Sequence, residues 1–289
     1  MSAITSDKAI TAPTVTAPGG GLAAFKRLEL FGGAALLACL IIACVAAPLI
    51  ASYGPNAQDL ANTLSGPTAR HLLGTDDLGR DVLSRLLYGG RIDLAIGVSA
   101  VVTPFVFGSA LGLLAAYLGG WVDAIVMRLL EIITAFPFYV LVIAIVFALG
   151  SGATSIYIAV SVTGWVSYTR IVRGEVLVAK RLGYAQAAEI MGYSKLRIMA
   201  RHLAPNVVSQ AVIFAMSDIV LTILGVVTLG YLGLGVQPPT AEWGAMIQDG
   251  AAYLPIHPLL TIIPGLAIVF TGLALSLIGD GLTEVINVR

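Results

Sequence analysis

Three aspartates and two arginines crowd one polar stretch, HLLGTDDLGRDVLSRLLYGG: Asp76, Asp77 and Asp81 stand beside Arg80 and Arg85. Carboxylates this close could hold a divalent cation, or the neighbouring guanidiniums could neutralise them, which is the commoner outcome in mixed clusters. A further carboxylate, Asp218, lies near the middle of a long apolar run. At the centre of a bilayer such a group costs at least about 2.5 kcal/mol and usually faces an aqueous cavity. Asp218 is therefore the candidate for lining a translocation path, unless Ser217, Thr222 or a partner helix satisfies it structurally. His71, His202 and His257 do not fall at metal-ligand spacing, so neither a metal site nor haem ligation is expected. Ser151, between Gly150 and Gly152, could suggest an intramembrane serine protease, but that chemistry needs an embedded histidine and His257 is a poor candidate. No GxxxxGK[ST] run is present, so the chain is not expected to hold ATP in a P-loop of its own. No catalytic residue is assigned.

The elements that must position these residues are membrane helices. The chain of 289 residues is 58% hydrophobic and only 11% charged, with mean hydropathy +0.93, where a soluble domain would carry about 25% charged residues. A span needs about 20 apolar residues, and six candidates are legible at 28–51, 92–118, 124–149, 154–168, 207–234 and 259–282. The reading is an all-α polytopic membrane protein. Residues 1–25 read as a flexible cytoplasmic tail, 26–91 as the first span with an extracytoplasmic segment, and 92–289 as the main transmembrane domain. Cys39 and Cys44 lie five apart in the first span, pointing to different sides of a helix, and read as small packing residues. Gly108 and Gly112 form a small-xxx-small pair of the kind that lets helix backbones approach closely. In the loop 237–258, Trp243 and Tyr253 suit an interfacial aromatic belt, or part of a landing surface for another protein.

The strongest topological signal is a basic island at 170–206. It holds seven of the chain's 16 Lys and Arg: Arg170, Arg173, Lys180, Arg181, Lys195, Arg197 and Arg201. By the positive-inside rule it belongs in the cytoplasm, and with six spans both termini do too. Arg70, Arg80, Arg85 and Arg91 count against this, but the island together with Lys8, Lys26 and Arg27 outweighs them. Within the island, residues 175–191 read as one helix stopped by Gly192, and Ser194 as the N-cap of a second helix at 195–204. Leu196, Met199 and Leu203 would share its apolar face, and Pro205 would interrupt it before the next span. Physics alone leaves two readings open: a docking surface for a soluble partner, or an amphipathic loop resting on lipid headgroups.

The run QAAEIMGYSKLRIMARHLAPN resembles the Glu-Ala-Ala loop of bacterial ABC importer permeases. Ala187, Ala188, Gly192 and Pro205 match that pattern in spacing, while Gln186, His202 and Ala204 replace its usual Glu, Ile and Leu. A second stretch, from His71 to Gly97, resembles the segment ahead of the permease domain in the C-type subunit of dipeptide, oligopeptide and nickel importers. Its core is Gly74, Thr75, Asp76, Gly79, Arg80 and Asp81. A third, LGLGVQPPT followed by Trp243-Gly244 and, near the end, Gly279-Asp280-Gly281-Leu282, resembles the same subunit type.

The resemblance implies the type I ABC importer permease fold in a bacterial inner membrane. It implies a homologous second permease subunit, two ATP-binding subunits that carry the ATP and Mg, and an extracytoplasmic solute-binding protein. No nucleic-acid partner and no cofactor within this chain are expected. Gln186 to Gly192 would form the coupling helix that docks on an ATP-binding subunit, with Gln186 offering a hydrogen bond where the family offers a charge. Dipeptides, oligopeptides, nickel complexes, glutathione or opines would all fit as cargo. A self-contained secondary transporter or channel is the alternative, and only Asp218 speaks for it.

Overall fold

Apolar runs of span length and good helix formers dictate an all-helical chain, and that is what folds. The computed structural model describes residues 20–287, those at 20–27 and 284–287 by backbone alone. Residues 1–19, most of the tail assigned from the sequence, lie outside the described residues, and helix already begins at Gly20. The helices are α1 (Gly20–Val45), α2 (Ala47–Ile50), α3 (Val82–Leu118), α4 (Gly120–Thr134), α5 (Phe138–Leu149), α6 (Ala153–Ala179), α7 (Gly183–Ile190), α8 (Lys195–Arg197), α9 (Ala204–Tyr231), α10 (Trp243–Ala251) and α11 (Leu259–Asn287). No β-strand occurs among the described residues; Thr75 and Asp81 form one isolated bridge.

Four helical stretches are long and apolar enough to cross a membrane: Leu28–Val45, Val82–Leu118, Lys195–Tyr231 and Leu259–Thr283. A fifth arises if α4 and α5, bent by 83° at their break, count as one span. The sequence read that region as a single span at 124–149. The break falls where Pro137 cannot donate and disfavours helix in the residue before it. The remaining expected span, 154–168, becomes α6. Its 27 residues reach about 40 Å at 1.5 Å per residue, but Ser, Thr and Tyr keep it from being apolar enough on its own. The six-span count is thus reached only with the bent pair and this polar helix. α3 also starts ten residues before the expected span, at Val82, because Asp81 caps it: its carboxylate accepts from Ser84 N at 2.8 Å and from Ser84 Oγ at 2.7 Å.

α6 is polar because it is central. Thr163 and Thr169 are buried, Thr163 bonding back to Ala159 O and Thr169 donating to Gly108 O on α3 at 3.0 Å. α3 can approach this closely because it presents glycine: a Cβ at Gly112 would lie 2.6 Å from Thr169 O, and Gly108 is equally tight against Trp165 O. One core groups α3, α6, α9 and the island around Tyr168, Val172, Leu203 and Ile223, while a second joins α5, α6 and α9 around Val146, Ile156 and Val226. Outside this centre, α1 packs along α11, and Phe31, Ile42 and Val45 leave its outer face apolar, as lipid contact requires. We expect Gly112→Leu to destabilise the α3–α6 contact by roughly 1–3 kcal/mol, read as a lower melting temperature in detergent. Gly32→Ala, where a Cβ meets open space, should leave melting unchanged.

Candidate functional site

Three places in the fold bring polar residues together. The first joins the segment before α3 to α10. Asp76 Oδ1 accepts from Leu78 N and Arg80 N, closing a tight turn, and its Oδ2 lies 2.6 Å from Arg80 Nε and 3.5 Å from Arg85 Nε. Arg80 also meets Asp77 at 3.5 Å and Asp249 of α10 at 3.3 Å, and Arg85 meets Asp249 at 3.7 Å. Asp81, the α3 cap, holds His71 Nδ1 at 2.9 Å. Thr75 donates to Asn62 O at 2.5 Å and accepts from Ser65 N, so it ties the preceding loop to the turn. Gly74 and Gly79 supply two positive-φ residues of that turn. The six motif residues thus build one turn and ion-pair knot, in which Arg80 and Arg85 face Asp76, Asp77 and Asp249 while Asp81 faces His71. Burial pushes the Asp249 carboxyl up, while the Arg80 and Arg85 charges pull it down.

Beside the knot lies a pair that the sequence did not single out. Asp93 on α3 and Glu242 before α10 are both fully buried. Glu242 caps α10, accepting from Gly244 N at 2.7 Å and Ala245 N at 2.8 Å, and Asp93 Oδ2 accepts from Trp243 N at 2.9 Å. Asp93 Oδ1 finds no hydrogen-bond partner among the described residues. Burial pushes Glu242 above the ordinary glutamate value, against the pull of its two backbone N–H donors and of Asp93. Trp243, read from the sequence as an interfacial or landing aromatic, is instead 1% exposed. Its indole donates to Leu86 O at 3.0 Å, and it stacks where Gly90 leaves room. Neither Asp93 nor Glu242 carried a sequence signal, since their pairing spans about half the chain.

The second place is inside the helices. A cavity of about 290 Å³ opens among α5, α6 and α9, lined by Phe138, Tyr139, Phe214, Asp218 and Leu221. It adjoins a smaller one of about 170 Å³ that shares Phe138, Ser167 and Asp218 and extends to Arg170. Asp218, the expected path residue, therefore stands on a cavity wall. Its Oδ2 accepts from Tyr168 OH at 2.7 Å; neither Ser217 nor Thr222 satisfies it.

The third place is the island. The helix expected at 175–191 is broken at residues 180–182, so that α7 leaves the axis of α6. Lys180 turns back to donate to Ala116 O at 2.8 Å, at the end of α3. α7 buries Ala185 and Ala188 and exposes Gln186 and Ala187. It ends in a Schellman turn: Gly192, at φ +73, donates to Glu189 O, and Tyr193 N donates to Ala188 O. Ser194 caps α8 as expected, accepting from Arg197 N at 3.4 Å. From there the structure departs from the expectation. Residues Ile198–Leu203 form a π-helix that runs straight into α9, and exposed Pro205 sits in the first turn of α9 instead of breaking it. A wide turn shifts the register, so Ile198, Met199 and Leu203 are buried while Leu196 is 72% exposed. Ile190 and Met191 are exposed as well, at 87% and 61%. The island therefore presents an apolar patch within a basic rim. Arg173 is tied back to Asp123 of α4 by two bonds, of 2.6 and 2.7 Å.

Residues 108–289 match the family described as binding-protein-dependent transport system inner membrane component. The chain belongs to this family. It is 40% identical over 265 residues to a glutathione transport system permease protein of Pectobacterium atrosepticum, covering 91% of this chain and 88% of that one. Proteins of the same description from Escherichia coli and Shigella boydii are 41% identical over the same coverage. The all-helical polytopic fold and the importer-permease resemblance both stand on these findings.

The carboxyl pair yields a prediction. A folded-state value above the unfolded one makes Glu242 contribute stability at acid pH and lose it as pH rises through the raised value. Melting in detergent should therefore decline as pH rises above the ordinary glutamate range. Glu242→Gln, which removes the titrating group and keeps one acceptor oxygen for the α10 N–H groups, should flatten that decline.

Proposed function

We propose that this chain is one of two different permease subunits of an ATP-driven importer for peptide-like solutes. Each permease would carry one ATP-binding subunit beneath it, and an extracytoplasmic binding protein would deliver the cargo. The observation that carries this reading is the island's form. Gln186, Ala187 and Ala188 lie on a short helix that Gly192 stops, with Ala188 packed in the core, Gln186 and Ala187 exposed, and exposed Ile190 and Met191 at its end. Exposed apolar side chains rimmed by Lys and Arg suit a protein cleft better than bulk water. Pro205 sits in the first turn of α9, where its missing N–H costs little, so the island runs on into α9 as helix.

In this reading the island and both termini are cytoplasmic, and the ion-pair knot is extracytoplasmic. The ATPase belongs to the partner subunits, which bind ATP and Mg. Closure of those subunits would push α7, and α6 and α9 would tilt to switch the cavity at Asp218 between outside and inside access. The relatives' description as glutathione permeases supports small peptides, glutathione among them, as cargo.

The docking surface is testable without knowing the cargo. The tagged chain, expressed with its neighbouring transport genes, should co-purify with an ATP-binding protein. Ile190→Asp with Met191→Asp should cut that recovery by about tenfold or more, the cost of burying charge in an apolar contact, with no change in melting temperature. Undiminished recovery would place the docking surface elsewhere. Transport by this chain alone in liposomes would overturn the importer reading and favour a self-contained transporter.

A further inference from the structure

The two adjoining cavities are lined by two charges that meet no opposite charge among the described residues. Asp218 meets one hydroxyl, that of Tyr168, and among the described residues it forms no ion pair. Arg170, at the far end of the adjoining cavity, donates only to Thr134 Oγ1 at 3.3 Å, and it too meets no carboxylate among the described residues. Both line the smaller cavity, yet they do not pair with each other. Thr163, Ser167 and Arg170 recur at i, i+4 and i+7 on one face of α6, so a polar stripe runs along the wall between them. The opposite walls are apolar and aromatic: Phe138, Tyr139 and Phe214.

A carboxylate within a membrane span with a single hydroxyl donor is incompletely solvated, while Arg170 stands exposed at the island end of α6 with its charge unpaired among the described residues. A molecule carrying an ammonium at one end and a carboxylate at the other would complete both. We propose that Asp218, oriented by Tyr168, receives the primary ammonium of a zwitterionic cargo, and that Arg170 receives its carboxylate. This deepens the importer reading and rests on it. A free peptide has both groups; an N-acetylated peptide lacks the first and a C-amidated one lacks the second. Aromatic rings beside Asp218 add attraction for a cation.

The test uses the full importer with its partner subunits in proteoliposomes. Its binding protein is loaded with glutathione or alanyl-alanine, each free or N-acetylated. The wild type should carry the free-amine forms about tenfold faster than the acetylated ones, as expected for one charge-assisted contact. Asp218→Asn should lower uptake of the free forms about tenfold and bring the ratio near one, and Asp218→Glu should restore most of it. Tyr168→Phe should give a smaller loss in the same direction. Arg170→Gln should slow the free peptide but spare its C-amidated form.

ATPase stimulation by the loaded binding protein should stay at the wild-type level in every variant, because the subsite touches cargo and not the coupling surface. A ratio unchanged by Asp218→Asn overturns the proposal. So does loss of ATPase stimulation together with uptake, which would make Asp218 a packing residue. Failure of every peptide-loaded binding protein to stimulate the wild type would instead overturn the peptide-importer reading itself.

Discussion

The structure depends on burying one polar helix. α6 carries Ser155, Thr163, Tyr168 and Thr169, each of them buried, and cannot face lipid with those groups unsatisfied. It therefore needs neighbours on several sides. α3 reaches it through Gly108 and Gly112, where the absence of side chains lets Thr169 find a backbone carbonyl across the interface. α9 reaches it through Asp218 and Tyr168, and α5 closes a third side with Val142 and Val146. The cavity is what remains where these three contacts do not meet. Its polar stripe and its place among the helices have the same origin.

Beyond the C-terminal end of α6 the chain makes the island and returns as α9. The two helices that leave the island are thus the two that meet at the cavity. From Ala179 back to Tyr168 is about 16 Å of helix, and from Ala204 to Asp218 about 21 Å, at 1.5 Å per residue. Both routes are continuous helix. On the α9 side the turn at 191–194 follows α7, and from Lys195 on α8, the π-helix and α9 follow one another without a break. On the α6 side, Lys180 and the Arg173–Asp123 pair fasten the turn to α3 and α4.

Much of this was legible in the sequence, for physical reasons. Composition and run length were enough for a polytopic helical protein, because lipid admits few alternatives. Gly192 as a helix stop and Ser194 as a cap were readable because both act within a few residues. The ion-pair knot was half legible: Asp76, Asp77, Arg80, Asp81 and Arg85 lie together in the chain, but Asp249 joins them across 169 positions. Asp93 with Glu242 was not legible at all, since each looks ordinary until α10 folds onto α3. Leu196 was misplaced because a 3.6-residue period was assumed through a stretch that widens to a π-turn. Trp243 was misplaced because a tryptophan in a loop between spans more often marks an interface than fills a core.

The error at Trp243 bears on how the outer face works. Loop 237–258 is not draped over the bundle but docked into it, with Trp243 and Glu242 seated on α3 and Asp249 locked to Arg80 and Arg85. The segment before α3 and the loop before α11, remote in sequence, therefore move as one body with the start of α3. α3 is also the helix whose glycines grip α6. This cap is joined through α3 to the polar shaft, while the cavity wall on α5 is held by Val142 and Val146. The 83° bend at Pro137 lies immediately before it. The wall formed by Phe138 and Tyr139 stands at that bend, so its position is set both by the break at Pro137 and by the packing of Val142 and Val146 on α6.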